Sequence, residues 1–332
     1  MPKPETLLVT GGCGLAMSQV ARAWLERDPE AEAILLDQAP PDPVVEAFFA
    51  PVAGRLTVLQ GDLRDPDLWD RLPAVSHVAH GAAVTSINRL TETDGLEGAL
   101  PALEANIMGT ARLLAWAARQ SDLRRLVYVS SGSVYGDAGP DPLPEEGFVA
   151  PEGFYPISKY VGELLSGQAA RQFGLPAVAV RLSGVYGPLD RETGTRAVKS
   201  VPYRLMHAAL AGRALGVAGL AAVGDYISAG DVGQAIVALL NCPAPGHRVY
   251  NIAYGQSVAL GDLLGLVERL VPGARFQQVA PEAAELVCDP AQRRGRWGAY
   301  DIARMTEDCG WRPRPLETAL ADYRDWLKKH PY

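Results

Sequence analysis

Cysteine is scarce in this 332-residue chain: Cys13, Cys242, Cys288 and Cys309 stand far apart, and no two form a C-x-x-C pair. That spacing offers neither a disulfide framework nor a cysteine metal site. Free thiols in a reducing cytoplasm are the simpler reading, and no metal is expected. No apolar run reaches the length of roughly 20 residues that a membrane-crossing helix needs. The opening MPKPETLL passes directly into a strand-like run, with no signal-peptide core or cleavage site. Positive charge is also short, with 31 Lys and Arg against 38 Asp and Glu for a net charge of −7. A nucleic-acid footprint would need a basic face or stripe. The expectation is a cytoplasmic protein with no membrane and no nucleic-acid partner.

What is present is ordinary globular composition, 48% hydrophobic and 21% charged, in a chain long enough for one large α/β domain and a smaller lobe. Short apolar runs alternate with helical patterns: LLVT (7–10), AILLD (33–37), RLTVLQ (55–60), VSHVAH (75–80), RLVYVSS (125–131) and AVAVRLS (177–183). Amphipathic stretches such as SQVARAWLER and KYVGELLSGQAARQF lie between them. Strands apolar on both faces, separated by helices, predict a parallel sheet covered on both sides. After about residue 186 the rhythm changes to a loop, a helix and glycine-rich turns. VYNIA (249–253) then reads as a late strand, followed by helices around 259–271 and 316–329. PPDPV (40–44) and GPDPLPEEG (139–147) read as proline-stiffened loops.

The first strand runs into LLVTGGCGLAMSQVARAWL (7–25), a glycine turn opening a helix. Such a turn presents backbone N–H groups and the positive helix end to a pyrophosphate. Either glycine spacing, through Gly11 or Gly12 and then Gly14, ends on Met17. Asp37 ends the second strand, where a carboxylate can accept both ribose hydroxyls of an adenosine half. No Arg or Lys occurs within 38–50 to meet a 2′-phosphate, which favours NAD over NADP. GDLRD (61–65) puts Asp62 within reach of the adenine amine. Cys13 is either slightly acidic at the helix start or a small filler.

A second group of residues carries acid–base chemistry. Tyr155 and Lys159 in YPISK are four apart, and on a helix beginning at Pro156 they share a face. A phenol is a poor base at neutral pH, and a neighbouring ammonium favours the phenolate. Ser131 ends a strand and can donate to the same substrate oxygen.

Taken together, TGGCG, Asp37, GDL, HGAA (80–83), NIMGT (106–110), SSGSVYG, YPISK, VRLSGVYGP (180–188), GDYISAGDV (224–232), VYNIA and DIARMTEDCGWRP (301–313) resemble the extended short-chain dehydrogenase/reductase superfamily. Within it they are similar to the NAD-dependent epimerase/dehydratase family, of the UDP-glucose 4-epimerase-like kind. The resemblance covers nearly the whole chain. It implies an α/β fold, a Rossmann-type doubly wound parallel sheet with a smaller C-terminal substrate-binding lobe. The NAD-binding domain would be 1–183, with 225–256 returning to it, and the lobe 184–224 and 257–332. It implies Ser131, Tyr155 and Lys159 as the catalytic set. NAD would be held by Gly11, Gly14, Leu15, Asp37, Gln38, Asp62, Leu63, Gly81, Ala82, Ala83, Asn106, Tyr155, Lys159 and Val185. For Asn106, bridging of backbone groups is an equal alternative. The substrate side would comprise Thr85, Ser86, Ser131, Ser133, Tyr155, Gly184 and Arg294. A homodimer through helices 101–120 and 153–174 is expected on the same ground.

The chain departs from the family pattern in two places that matter. Nucleotide-sugar members usually carry an Asn at the position of Gly184 and an Arg at that of Gly224, both of which help hold the diphosphate. A charge-assisted phosphate contact is of the stronger kind, so its loss counts. RRGRW (293–297) offers Arg294 or Arg296 to a phosphate or carboxylate, or is a solvated loop. The stretch after HGAA is a few residues longer than the family leads one to expect.

The first functional expectation is an NAD-dependent oxidoreductase acting at a secondary hydroxyl or ketone carbon of a sugar-like substrate without a nucleotide. The alternative is a nucleotide-sugar epimerase, which returns the hydride to the opposite face. A dehydratase is less expected, because GSV (132–134) has no acidic residue. A non-catalytic NAD-binding regulator would show a damaged Ser-Tyr-Lys set, and this one is intact.

Overall fold

The computed structural model describes residues 5–89, 95–136, 139–194, 199–288 and 298–332. The six apolar runs become strands β1 (Thr6–Thr10), β2 (Glu32–Asp37), β3 (Leu56–Gln60), β4 (His77–His80), β5 (Arg125–Ser131) and β6 (Ala177–Leu182). They alternate with helices α1 (Leu15–Arg27), α2 (Pro43–Phe49), α3 (Leu68–Arg71), α4 (Gly95–Leu103), α5 (Gly109–Ala117) and α6 (Phe154–Phe173). A widened π turn, Glu104–Met108, joins α4 to α5. Beyond residue 183 come β7 (Gly184–Tyr186), α7 (Val201–Leu210), β8 (Ala214–Ala218), β9 (Val223–Gly224), β10 (Tyr226–Ser228) and α8 (Ala229–Asn241). The chain closes with β11 (Val249–Ile252), β12 (Val258–Ala259), α9 (Leu260–Leu270), β13 (Arg275–Gln278), β14 (Leu286–Val287), α10 (Ala303–Cys309) and α11 (Leu316–Lys329).

Seven strands form one parallel sheet in the order β11-β6-β5-β4-β1-β2-β3. β1 pairs with β2 on one side and β4 on the other, so the chain winds outward in both directions from it. A crevice opens beyond the carboxyl ends of the strands at such a switch point. One face packs Val9, Leu35 and Val127 against Val20 and Trp24 of α1 and Ile236 and Leu239 of α8. The other packs Leu8, Leu36 and Tyr128 against Trp69, Leu113 and Trp116. Each fully buried Leu or Val contributes roughly 1.5–3 kcal/mol.

A second core gathers Tyr186, Leu205, Leu263, Leu286, Leu320 and Tyr323 around the three-stranded sheet β13-β8-β14. The two bodies meet at Asp225, which is buried. Its Oδ1 accepts from Ser183 Oγ (2.7 Å) and Tyr254 N (2.8 Å), and Oδ2 accepts from Gly255 N (2.8 Å) and Tyr300 N (3.4 Å). Burial, opposed by these donors, pushes the carboxyl up to about 6.

Two expectations change here. PPDPV is the start of a helix: Asp42 caps it by accepting from Val44 and Val45 N–H, and Pro43 fits the first turn. The residues 257–332 do not all belong to the second core, since Met305 and Trp311 pack into the core of the seven-stranded sheet. Among the described residues, no helix is long and apolar enough to cross a membrane.

Candidate functional site

A cleft of about 740 Å³ lies along the carboxyl ends of the sheet. At its floor Gly11 has φ +71° and donates its N–H to Leu36 O (2.8 Å). A Cβ at Gly11 would sit 2.9 Å from Ala82 Cα, so only glycine fits both the dihedral and the space. Gly14 precedes α1, which starts without a side-chain cap, and its first-turn N–H groups have no partner within the helix. Gly14, Leu15 and Met17 all line the cleft. The bare helix end and glycine cradle fit a dinucleotide diphosphate.

Asp37, at the end of β2, accepts from Cys13 N (3.0 Å) and Ala39 N (3.3 Å). The carboxylate therefore fixes the glycine loop while keeping lone pairs for ribose hydroxyls. Burial, with Asp37 and Asp42 adding, pushes the Cys13 thiol up to about 12, so it is a neutral filler and not an acidic thiol. Gln38, Leu63, Gly81, Ala82, Ala83 and Val185 also line the cleft. So does Asp62, but both its oxygens are held by Arg64, Nη2 at 2.6 Å and Nε at 3.0 Å. That hydrogen-bonded pair lowers the Asp62 carboxyl from its ordinary value and competes with an adenine amine.

Asn106 stands off the cleft wall. Its Oδ1 accepts from Val84 N (2.8 Å), while Nδ2 donates to Val84 O (3.3 Å) and Ser158 Oγ (3.1 Å). This is the bridging arrangement, tying the loop after β4 to α6. Within the π turn Gly109 N reaches back to Glu104 O, and Asn106 O accepts from Thr110 Oγ1 (2.6 Å). Thr110 thus accepts from His80 Nε2 (2.9 Å), so His80 Nδ1 accepts from Thr10 Oγ1 (2.6 Å), which in turn accepts from Ala82 N (3.2 Å). Burial, with the Lys159 charge adding, holds His80 down to about 3. The neutral ring and two threonines thereby position Gly81–Ala83.

Ser131, Tyr155 and Lys159 converge on the same cleft. Ser131 Oγ accepts from Ser133 N (3.2 Å) and Ser133 Oγ (2.9 Å), which leaves the Ser131 proton to donate. Tyr155 is the second residue of α6, which starts two residues before Pro156, and packs beside Val84, Ile87, Ala99 and Ala102. The first helical N–H groups are unpaired anyway, so proline at the third position is tolerated. Lys159 Nζ donates to Val129 O (2.7 Å) and lies 6.0 Å from the Tyr155 ring centroid. Burial, opposed by Glu163, lowers its pKa to about 8.

On the expected substrate side, Thr85 and Gly184 line the cleft, Ser86 and Ser133 do not, and Arg294 and Arg296 lie outside the described residues. A Cβ at Gly184 would fall 2.8 Å from Asp225 O, and one at Gly224 would fall 2.6 Å from the Tyr226 phenol. A side chain at Gly184 would need the backbone at Asp225 to shift, and one at Gly224 would need Tyr226 to move aside. Arg191 and Lys199, absent from the sequence expectations, enter the cleft wall on the segment after β7. No local signal marks them, because the contact spans the chain from Asp42 to Arg191.

A model of the NAD-dependent epimerase/dehydratase family matches residues 7–253. A putative UDP-glucose 4-epimerase of Methanocaldococcus jannaschii is 25% identical over 328 residues, covering 98% of this chain and 99% of that protein. A dTDP-glucose 4,6-dehydratase of Mycolicibacterium smegmatis is 29% identical over 330 residues, covering 97% and 93%. The solved dTDP-glucose 4,6-dehydratase of Streptomyces venezuelae with NAD bound has a TM-score of 0.77 and 25% identity, covering 98% of this chain and 97% of that one.

Proposed function

The chain belongs to the NAD-dependent epimerase/dehydratase family, and from that premise we propose an oxidoreductase working at a secondary hydroxyl or ketone carbon of a sugar-like substrate. The observation that carries this reading is the meeting of Ser131, Tyr155 and Lys159 in one cleft with Gly11, Gly14 and Asp37. NAD, which Gly11, Gly14 and Asp37 of the cleft would hold, would supply the hydride acceptor of such a reaction. Tyr155 takes the proton of the substrate hydroxyl at its phenol oxygen, and the Lys159 ammonium favours the phenolate that does so. Ser131 donates to the same substrate oxygen and orients it, with Ser133 holding the Ser131 hydroxyl from behind.

Glycine at 184 and 224 offers a diphosphate neither an amide nor a guanidinium, which supports a substrate without a nucleotide diphosphate, a sugar or sugar acid. We assign its binding to the side of the cleft formed by Thr85, Gly184 and the second core. Epimerisation of a nucleotide sugar is the second reading, favoured by the relatives named above. Free sugars and sugar acids mixed with the chain and NAD should raise absorbance at the NADH band. Silence across that panel, with interconversion of UDP-sugars and no added cofactor, decides for the epimerase.

We also expect a homodimer. Leu100 of α4, Met108 of the π turn, and Ile157 and Leu164 of α6 are large apolar side chains left exposed on adjoining helices.

A further inference from the structure

Arg191 belongs to the segment after β7, 149 residues along the chain from Asp42. Its Nη2 donates to Asp42 Oδ2, the N-cap carboxylate of α2, and so ties the segment after β7 to α2 beside the glycine loop. The Arg191 side chain is only 14% exposed, and Nη1 is buried with no hydrogen-bond partner among the described residues. A buried, unpaired guanidinium nitrogen is costly unless something absent from the chain accepts from it. Arg191 lines the cleft together with Cys13 and Gly14, and its charge acts on the Cys13 thiol. The segment that carries it is pre-set. Leu189 is held at φ +70°, its N–H donating to Tyr332 Oη (3.0 Å), and Asp190 Oδ2 accepts from Ser200 Oγ (2.5 Å). A non-glycine residue at that dihedral persists only where surrounding contacts over-determine it.

We propose that Arg191 is a clasp on the cofactor: Nη2 closes the cleft through Asp42, and Nη1 donates to the dinucleotide diphosphate seated on the glycine loop. Release of the dinucleotide then requires the Arg191–Asp42 bridge to open. The inference needs a dinucleotide in the cleft and holds for either reading of the reaction.

The test follows release of NADH from the full chain by fluorescence during a chase with excess NAD, with calorimetric titration of ADP and of adenosine alongside. Arg191→Ala should speed NADH release and weaken ADP binding by about tenfold or more, the size of one lost charge-assisted contact, with adenosine binding unchanged. Asp42→Asn keeps a good helix cap, so it should fold normally, speed NADH release severalfold and leave ADP binding near that of the unaltered chain. Unchanged NADH release in both variants overturns the clasp. An equal loss for adenosine and ADP in Arg191→Ala overturns the diphosphate contact. If Arg191→Ala does not fold, the Asp42→Asn release rate decides alone. Failure of the unaltered chain to bind NADH strikes the cofactor reading itself, which separates the two failures.

Discussion

Met17 lies in the space that Gly81 leaves open: a Cβ on Gly81 would sit 2.2 Å from the Met17 sulfur and 2.4 Å from its Cγ. Met17 is buried, 4% exposed, and stands where the glycine turn leads one to expect a third glycine. The missing glycine is therefore matched by one on the neighbouring strand end. The flexible thioether packs against the very residues that line the cleft beside Gly11.

Gly81→Ala should drive Met17 from this pocket and destabilise the chain by about 1–3 kcal/mol, as overpacking does. In a Met17→Ala background the same change should cost less than half as much, because the clash is gone. Urea unfolding of the four proteins in the cycle reads the coupling, and additive costs would remove the link between the two residues.

Tyr155→Phe should reduce turnover by about 10²–10⁴-fold, the usual range for a positioned acid–base group. NADH binding by fluorescence should be unaltered, since the ring and its apolar neighbours Val84 and Ile87 stay. Full turnover in this variant means the proton goes elsewhere.

Lys159 carries a pKa lowered by burial to about 8 from an ordinary 10.5, so its ammonium is present below about pH 8 and lost above it. Its support of the Tyr155 phenolate should fade as pH rises through 8. The stability effect has the opposite sense. The unfolded lysine holds its proton up to about 10.5, so the burial cost is full below pH 8 and disappears between 8 and 10.5. Lys159→Met should thus abolish turnover yet stabilise the cofactor-free chain at pH 7 by about 1 kcal/mol. Thermal unfolding at pH 7 and 10 checks this, and a variant less stable at both values contradicts it.

Asp225→Asn should cost about 2–4 kcal/mol, because the amide NH2 takes the place of one oxygen and cannot accept from the two donors, Ser183 and Tyr254 or Gly255 and Tyr300, that this oxygen serves. The cost should appear in chemical unfolding and is shared by both cores. A loss confined to one of two separate transitions would show that Asp225 does not join them.

Leu164→Glu on α6 should shift the chain from dimer to monomer in sedimentation with little loss of monomer stability, since Leu164 is 52% exposed. A monomeric unaltered chain ends the dimer proposal.

The inner strands of the main sheet were legible because they are largely apolar on both faces, which local sequence states directly, whereas the edge strand β3 is mostly exposed. LLVT, AILLD and RLVYVSS coincide with β1, β2 and β5 within a residue. The second body was less so. β13 (RFQQ) is short, polar and largely exposed, so only its pairing with β8 makes it a strand. The α2 start was hidden by prolines that stiffen a loop and open a helix equally well.

The glycine turn, Asp37 and the Ser131, Tyr155 and Lys159 spacing are local patterns, fixed by dihedral preference and helical period, and the sequence alone determined them. Tertiary structure decided what distance along the chain conceals. It turned Asn106 inward to brace Val84, covered Gly224 with Tyr226, set Met17 against Gly81, and carried Arg191 to Asp42 across 149 residues. Each depends on two segments whose approach is set by packing of the whole, and packing leaves no mark on either segment by itself.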